Sequence, residues 1–170
     1  GPDSQVILVS DSRTLLEAAD RALTEQLAVL PRKDIAAQAL SKSRFILAQD
    51  LSECVAISNR YAPEHLIVQV ANPQALVPQL YNAGSIFLGA LTCESMGDYA
   101  SGTNHTLPTY GYAKTASALG TDDFRRRYTI SYATAEGLRA IGTTVETLAT
   151  AEGLDAHRNA VTIRLNKIGR

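Results

Sequence analysis

A small α/β lobe with a mostly parallel sheet and flanking helices, followed by a C-terminal helical tail, is the fold class this sequence predicts. Three observations carry it. In the first half, short apolar runs rich in β-branched residues alternate with stretches of helical periodicity. A long segment rich in Gly, Ser, Thr and Tyr follows, and helical periodicity returns at the end. The lobe, with its Gly-rich segment, is expected over residues 1–120 and the tail over residues 121–170.

Val6-Ile7-Leu8-Val9, within residues 5–10, is a continuous apolar run, as a strand buried on both faces would be. Asp11 or Ser12 can cap the next segment, where Leu15, Leu16, Ala19, Leu23, Leu27 and Leu30 recur at helical spacing until Pro31 interrupts. Residues 32–42 continue as a second helix, and Phe45-Ile46-Leu47 make another short strand. Asp50-Leu51-Ser52-Glu53 opens a third helix with a carboxylate at its N-terminus, where the helix dipole favours it. Residues 66–70 read as a strand, 73–82 as a helix, and 85–88 as a fourth strand after Ala83-Gly84. Residues 91–120 show little periodicity, and so long an irregular segment in a compact domain is usually functional or a linker. From Ala135 onward Leu138, Ile141, Val145, Leu148 and Ala149 share a helical face, and Gly153 is a natural stop. Residues 155–167 form a last short helix with Val161, Ile163, Leu165 and Ile168 as its apolar residues. This tail is too small to fold alone and is expected to pack on the lobe or on another subunit.

Composition narrows the function classes. A chain of 170 residues, 45% hydrophobic and 19% charged, is long enough for one domain with a core or for two small lobes. Its formal charge of -1 gives no electrostatic case for binding nucleic acid or a membrane surface. The apolar runs fall far short of the roughly 20 residues a membrane span needs. Gly1-Pro2-Asp3-Ser4 lacks the basic region and apolar stretch of a secretory signal, and Cys54 and Cys93 lack the spacing of a metal knuckle or redox pair. A cytoplasmic location fits best. The chain opens on Gly-Pro rather than Met and enters a strand within a few residues, so the coding sequence is expected to extend upstream.

The three histidines mark the candidate chemistry. His65 follows Glu64 in Tyr61-Ala62-Pro63-Glu64-His65, between a helix and a strand. Strand edges of α/β sheets are where ligands bind, and an adjacent carboxylate and imidazole can divide base and acid roles; a polar turn capping the helix is the plainer alternative. Asp98 and His105 lie in a segment with Gly97 and Gly102, which permit close backbone approach, and could act as a hydrogen-bonding or metal-ligating pair. No Lys-Ser or Lys-Thr follows the second glycine, so this is not a phosphate loop, and a satisfied turn Asp is the commoner meaning of such a stretch. His157, after Glu152 and Asp155 near the start of the last helix, would most often be a surface cap. Asp98 and His157 could supply two ligands of a zinc site, which needs about three from protein. Cys54 reads as a core thiol, and nothing makes Cys93, beside Glu94, a nucleophile.

Five ordered segments resemble the C-terminal part of the histidinol dehydrogenase family. They are Tyr61-Ala62-Pro63-Glu64-His65-Leu66, Asn82-Ala83-Gly84-Ser85-Ile86-Phe87-Leu88-Gly89, Gly97-Asp98-Tyr99-Ala100-Ser101-Gly102-Thr103-Asn104-His105, Leu107-Pro108-Thr109-Tyr110-Gly111-Tyr112-Ala113 and His157-Arg158-Asn159-Ala160-Val161. The resemblance implies an incomplete Rossmann-like lobe and an NAD-dependent zinc enzyme that takes L-histidinol to L-histidine by two hydride transfers through an aldehyde. It implies His65 as the general base toward the alcohol and Glu64 as the group that activates water. It assigns Asp98 and His157 to Zn2+, and makes His65, Asp98, His105, Glu152 and His157 the residues that meet the substrate.

The resemblance also implies what is missing. The family's other two zinc ligands, a glutamine and a histidine, would lie just upstream, as would most of the dinucleotide pocket; no Gly-x-Gly-x-x-Gly fingerprint replaces it in this chain. The tail would cross a homodimer, so that His157 completes the partner subunit's site. Two other readings stand beside this one: a relative that oxidises a different polar alcohol, and a non-catalytic dimerisation or binding module.

Overall fold

Four short strands form two parallel pairs in the computed structural model, which describes residues 1–169. β1 (Ile7–Ser10) pairs with β2 (Arg44–Leu47), Ile7 opposite Arg44 and Ser10 opposite Leu47. β3 (His65–Val68) pairs with β4 (Ser85–Leu88), His65 opposite Ser85 and Val68 opposite Leu88. Parallel neighbours cannot be joined by a tight turn, so each pair needs a crossover. Helices α1 (Arg13–Val29) and α2 (Lys33–Lys42) make the first, a 3-10 segment at Pro73–Gln79 makes the second, and α3 (Leu51–Tyr61) links the two pairs. The parallel α/β class expected from the sequence is therefore borne out, although the strands join in twos rather than in one sheet.

Local chemistry sets the element ends. Ser12 caps α1, its hydroxyl accepting from the Leu15 N–H at 3.2 Å. At α3 the Asp50 carboxylate accepts from the Glu53 N–H at 2.8 Å while the Glu53 carboxylate accepts from the Gln49 N–H at 2.6 Å, a reciprocal cap. Residues 73–82, expected as an α-helix, form only the 3-10 segment, because Pro78 has no N–H to give to a helical ladder.

Period-two alternation divides β3 and β4 into two faces. Leu66, Val68, Ile86 and Leu88 pack with Val55 of α3 and with Leu76 and Leu80 in the core; His65, Ile67, Ser85 and Phe87 fall on the other face. Buried Asn59 fastens α3 beneath the sheet: its amide donates to the Gln79 carbonyl at 2.7 Å and accepts from the Tyr81 N–H at 3.1 Å, while its own carbonyl accepts from Asn82 at 2.9 Å. Both ends of the side-chain amide are thus engaged, which burial of such a group requires.

Residues 91–120, expected to be irregular, contain α4 (Glu94–Tyr99) and a 3-10 turn at Tyr112–Lys114. The chain divides into two units, Gly1–Phe124 and the part from Arg125 on. The second is a helical hairpin of α5 (Ala135–Ala151) and α6 (Asp155–Lys167), turning at Gly153 with φ 70°. Thr134 caps α5 by accepting from the Gly137 N–H at 3.0 Å. Gly142 gives Leu165 its place: a β-carbon there would lie 2.7 Å from the Leu165 methyl, and Leu165 is only 3% exposed. No helix among the described residues is long and apolar enough to cross a membrane.

Leu165→Ala is expected to lower hairpin stability by about 2–5 kcal/mol through the lost contact and the cavity it leaves, measured by chemical denaturation followed at helical circular dichroism. An unchanged midpoint would contradict the packing described.

Candidate active site

The route into the site begins at the end of α3. Ala62 adopts a left-handed conformation, φ 55°, its N–H donating to the Ser58 carbonyl at 2.8 Å, and Pro63 follows. A residue before proline disfavours the right-handed helical region, so the helix stops there and the chain turns into β3. Backbone bonds then fix Glu64 and His65 against the fourth strand. The Gly84 N–H donates to the Pro63 carbonyl and the Ser85 N–H to the Glu64 carbonyl, both at 2.9 Å. A β-carbon on Gly84 would fall 2.6 Å from the Glu64 carbonyl oxygen and 3.2 Å from the Leu107 side chain, so this approach requires glycine.

Three side chains converge on the outer face of this strand pair. The His65 Nε2 lies 3.5 Å from a Glu94 carboxylate oxygen and 4.0 Å from one of Asp98. The three donor atoms sit within 4.8 Å of one another, and Nε2 is buried with no hydrogen-bond partner. Glu94 and Asp98 are one turn apart on α4, hence on one helix face. Gly97 between them is buried against Phe87: a β-carbon there would lie 2.8 Å from the Phe87 ring. That ring is itself buried and stands 6.0 Å, centre to centre, from the His65 imidazole at a 37° tilt. Phe87 thus backs both the imidazole and the helix that carries the carboxylates.

Electrostatics follow from the crowding. Partial burial pushes the Glu94 carboxyl up, as do a hydrogen bond with Asp98 and the Asp98 charge; the His65 imidazole pulls it down. Glu64 adds a smaller upward push. A spot where burial and a neighbouring carboxylate raise Glu94, and where a buried ring nitrogen lacks a partner, is arranged for a proton or a positive charge.

The other expected residues stand elsewhere. His105 is exposed in the loop after α4 and is no member of the cluster. Exposed Glu152 caps the C-terminus of α5, and exposed His157 lies in the first turn of α6, both in the second unit. Sequence reasoning singles out His65 and Asp98 and passes over Glu94; the signal available is its spacing of four from Asp98. The cluster lies at the start of β3, where His65 stands, on the face of the strand pair that α4 covers.

A small parallel α/β unit carrying an imidazole ringed by carboxylates is a protein equipped for acid–base or cation-assisted chemistry. Comparison with known proteins makes the class particular. Residues 1–165 match the histidinol dehydrogenase family, and this chain belongs to it. It is 57% identical over 168 residues to histidinol dehydrogenase of Vibrio cholerae serotype O1, covering 99% of this chain and 39% of that one. It is 56% identical over 168 residues to the Photobacterium profundum protein of the same name, covering 99% and 38%. The crystal structure of histidinol dehydrogenase from Elizabethkingia anophelis superposes with a TM-score of 0.95 at 46% identity, covering 100% of this chain and 39% of that one. The chain therefore spans about two fifths of the length of the proteins it matches.

Gly84→Ala is expected to lower stability by about 1–3 kcal/mol, because two backbone segments would have to part. Gly120→Ala, whose β-carbon would meet nothing nearer than 3.8 Å, serves as the neutral control in thermal unfolding. Thiol labelling distinguishes the cysteines: exposed Cys93 should react with a disulfide reagent well before Cys54, whose thiol is pushed up by burial and by Asp11, Asp50 and Glu53. Equal rates would contradict the burial assigned to Cys54.

Proposed function

We propose that this chain carries the proton-transfer machinery of an NAD- and zinc-dependent enzyme that oxidises L-histidinol to L-histidine. The observation that supports it best is the His65 imidazole held against two carboxylates, in sequence directly after Glu64. In the first oxidation His65 takes the O–H proton of the alcohol, and NAD+, when bound, would accept the carbinol hydride, leaving an aldehyde. Glu64 then takes a proton from water as it adds to the aldehyde; loss of a second hydride, which a second NAD+ would accept, leaves the carboxylic acid, and its proton passes to solvent to give the carboxylate. Two successive oxidations call for two proton acceptors at different moments, which adjacent Glu64 and His65 provide.

The donor chemistry fits zinc. Asp98 and His157 offer the carboxylate oxygen and imidazole nitrogen that Zn2+ takes, and the acidic cluster favours a cation at Asp98. When bound, zinc would anchor and polarise the substrate's polar groups without changing oxidation state. His105 and Glu152 would meet the substrate's polar ends, while the remaining ligands and the NAD contacts would come from parts of the enzyme outside this chain.

His157 would reach the site of a partner subunit in a homodimer. Apolar side chains that the hairpin leaves exposed, Ile141 at 58%, Leu148 at 60% and Ile163 at 65%, support a second surface for the tail. A biosynthetic enzyme of this kind would work in the cytoplasm.

The complete protein should reduce NAD with L-histidinol, stop when chelated and recover with zinc. His65→Asn and Glu64→Gln should each lower kcat by about 10²- to 10⁴-fold. Normal turnover in both variants would overturn the roles of base and water activator. Size-exclusion chromatography tests the exchanged tail separately, since a stable monomer with full activity excludes it.

A further inference from the structure

We propose that Glu94 is a positioning residue for His65, accepting the Nε2–H so that the Nδ1 lone pair is the one that takes the substrate's proton. The inference rests on the proposed function, in which His65 is the base and Asp98 is committed to the cation. Two carboxylates face Nε2, Glu94 at 3.5 Å and Asp98 at 4.0 Å, and Nε2 has no other partner. With Asp98 engaged by a cation, Glu94 is the carboxylate left for the ring.

A neutral imidazole has one N–H and one lone pair, and an ionised carboxylate can only accept. A carboxylate at Nε2 therefore selects the tautomer with hydrogen there and leaves Nδ1 free. The 3.5 Å gap between Nε2 and Glu94 is longer than a hydrogen bond and closes with a small movement of either side chain.

Both side chains stand on regular elements. His65 opens a strand locked into the parallel ladder, and Glu94 lies on α4, which Gly97 seats directly on Phe87. Phe87 also backs the imidazole. One buried ring thus sets the spacing of acceptor and donor, as a site built on regular elements allows. Glu94 need not touch the substrate to matter, because a base that turns or changes tautomer presents the wrong nitrogen.

Two measurements test this. The first is ring-nitrogen NMR on the complete zinc-loaded enzyme labelled with 15N-histidine in mildly alkaline buffer, where the resonances lost in His65→Asn assign that ring. His65 is expected as the Nε2–H tautomer, and Glu94→Gln, whose amide can offer a donor instead, should shift it toward the other. His65 resonances unmoved by Glu94→Gln would overturn the proposal. Glu94→Ala, which removes the acceptor outright, should move them in the same direction and serves if the Gln variant folds poorly.

The second measurement uses the same enzyme. Glu94→Gln should lower kcat about 10- to 100-fold, with the KM for L-histidinol within about three-fold of the parent and the zinc content unchanged. An unchanged kcat, or a loss that follows zinc or KM, would place Glu94 outside this role. If His65→Asn turns over normally while the NMR result holds, the base assignment fails and the Glu94–His65 pairing stands.

Discussion

The site depends on how closely two backbone segments approach at the start of the parallel pair β3 and β4. The Glu64 carbonyl accepts from Ser85, the Pro63 carbonyl accepts from Gly84, and the absent side chain of Gly84 lets the segments meet. This contact sets the register in which His65 stands opposite Ser85. Register in turn decides faces, since a slip by one residue would send the imidazole into the hydrophobic core and Leu66 out to α4. Ala62 and Pro63 supply the turn that feeds the pair, and Asn59 holds the helix behind it. The chemistry of the outer face is thus a consequence of hydrogen bonds made on the chain's own backbone.

On that face, packing and electrostatics work against each other. Phe87 and Gly97 draw α4 down until two carboxylates share the neighbourhood of one imidazole, and burial together with their mutual repulsion raises Glu94. An isolated acidic pair would prefer to separate. The buried ring behind them and the nitrogen in front make the crowded arrangement the one that fits. Such tension is common where a fold keeps a place for a positive charge that arrives only with a ligand or a proton.

Much of this is legible in the sequence, for identifiable reasons. The four strands announce themselves as short apolar runs, although β1, expected to be buried on both faces, is only half-buried and β2 is mostly exposed; the hairpin does so because Leu138, Ile141, Val145 and Leu148 repeat at helical spacing. His65 and Glu64 stand out as a charged pair between a helix and a strand. Glu94 does not, because α4 has six residues, too few for a periodic signal, and lies in a stretch dominated by glycine and hydroxyl residues. The segment at Pro73–Gln79 misleads for the opposite reason: its apolar spacing mimics a helix that Pro78 cannot complete. That the cluster lies on a face is hidden because facing depends on register, which is a property of two segments together.

The glycine at position 84 also has a genetic consequence. Every base change that alters the meaning of a glycine codon either adds a β-carbon or ends the chain. At a surface loop such a change passes unnoticed, but at this position the added carbon meets a backbone oxygen that only a shift of β3 could move, and β3 carries His65. The position therefore has no near-neutral neighbours in mutational space. A gene encoding this protein can drift along the exposed helices while being held at this codon by an atom that glycine does not have.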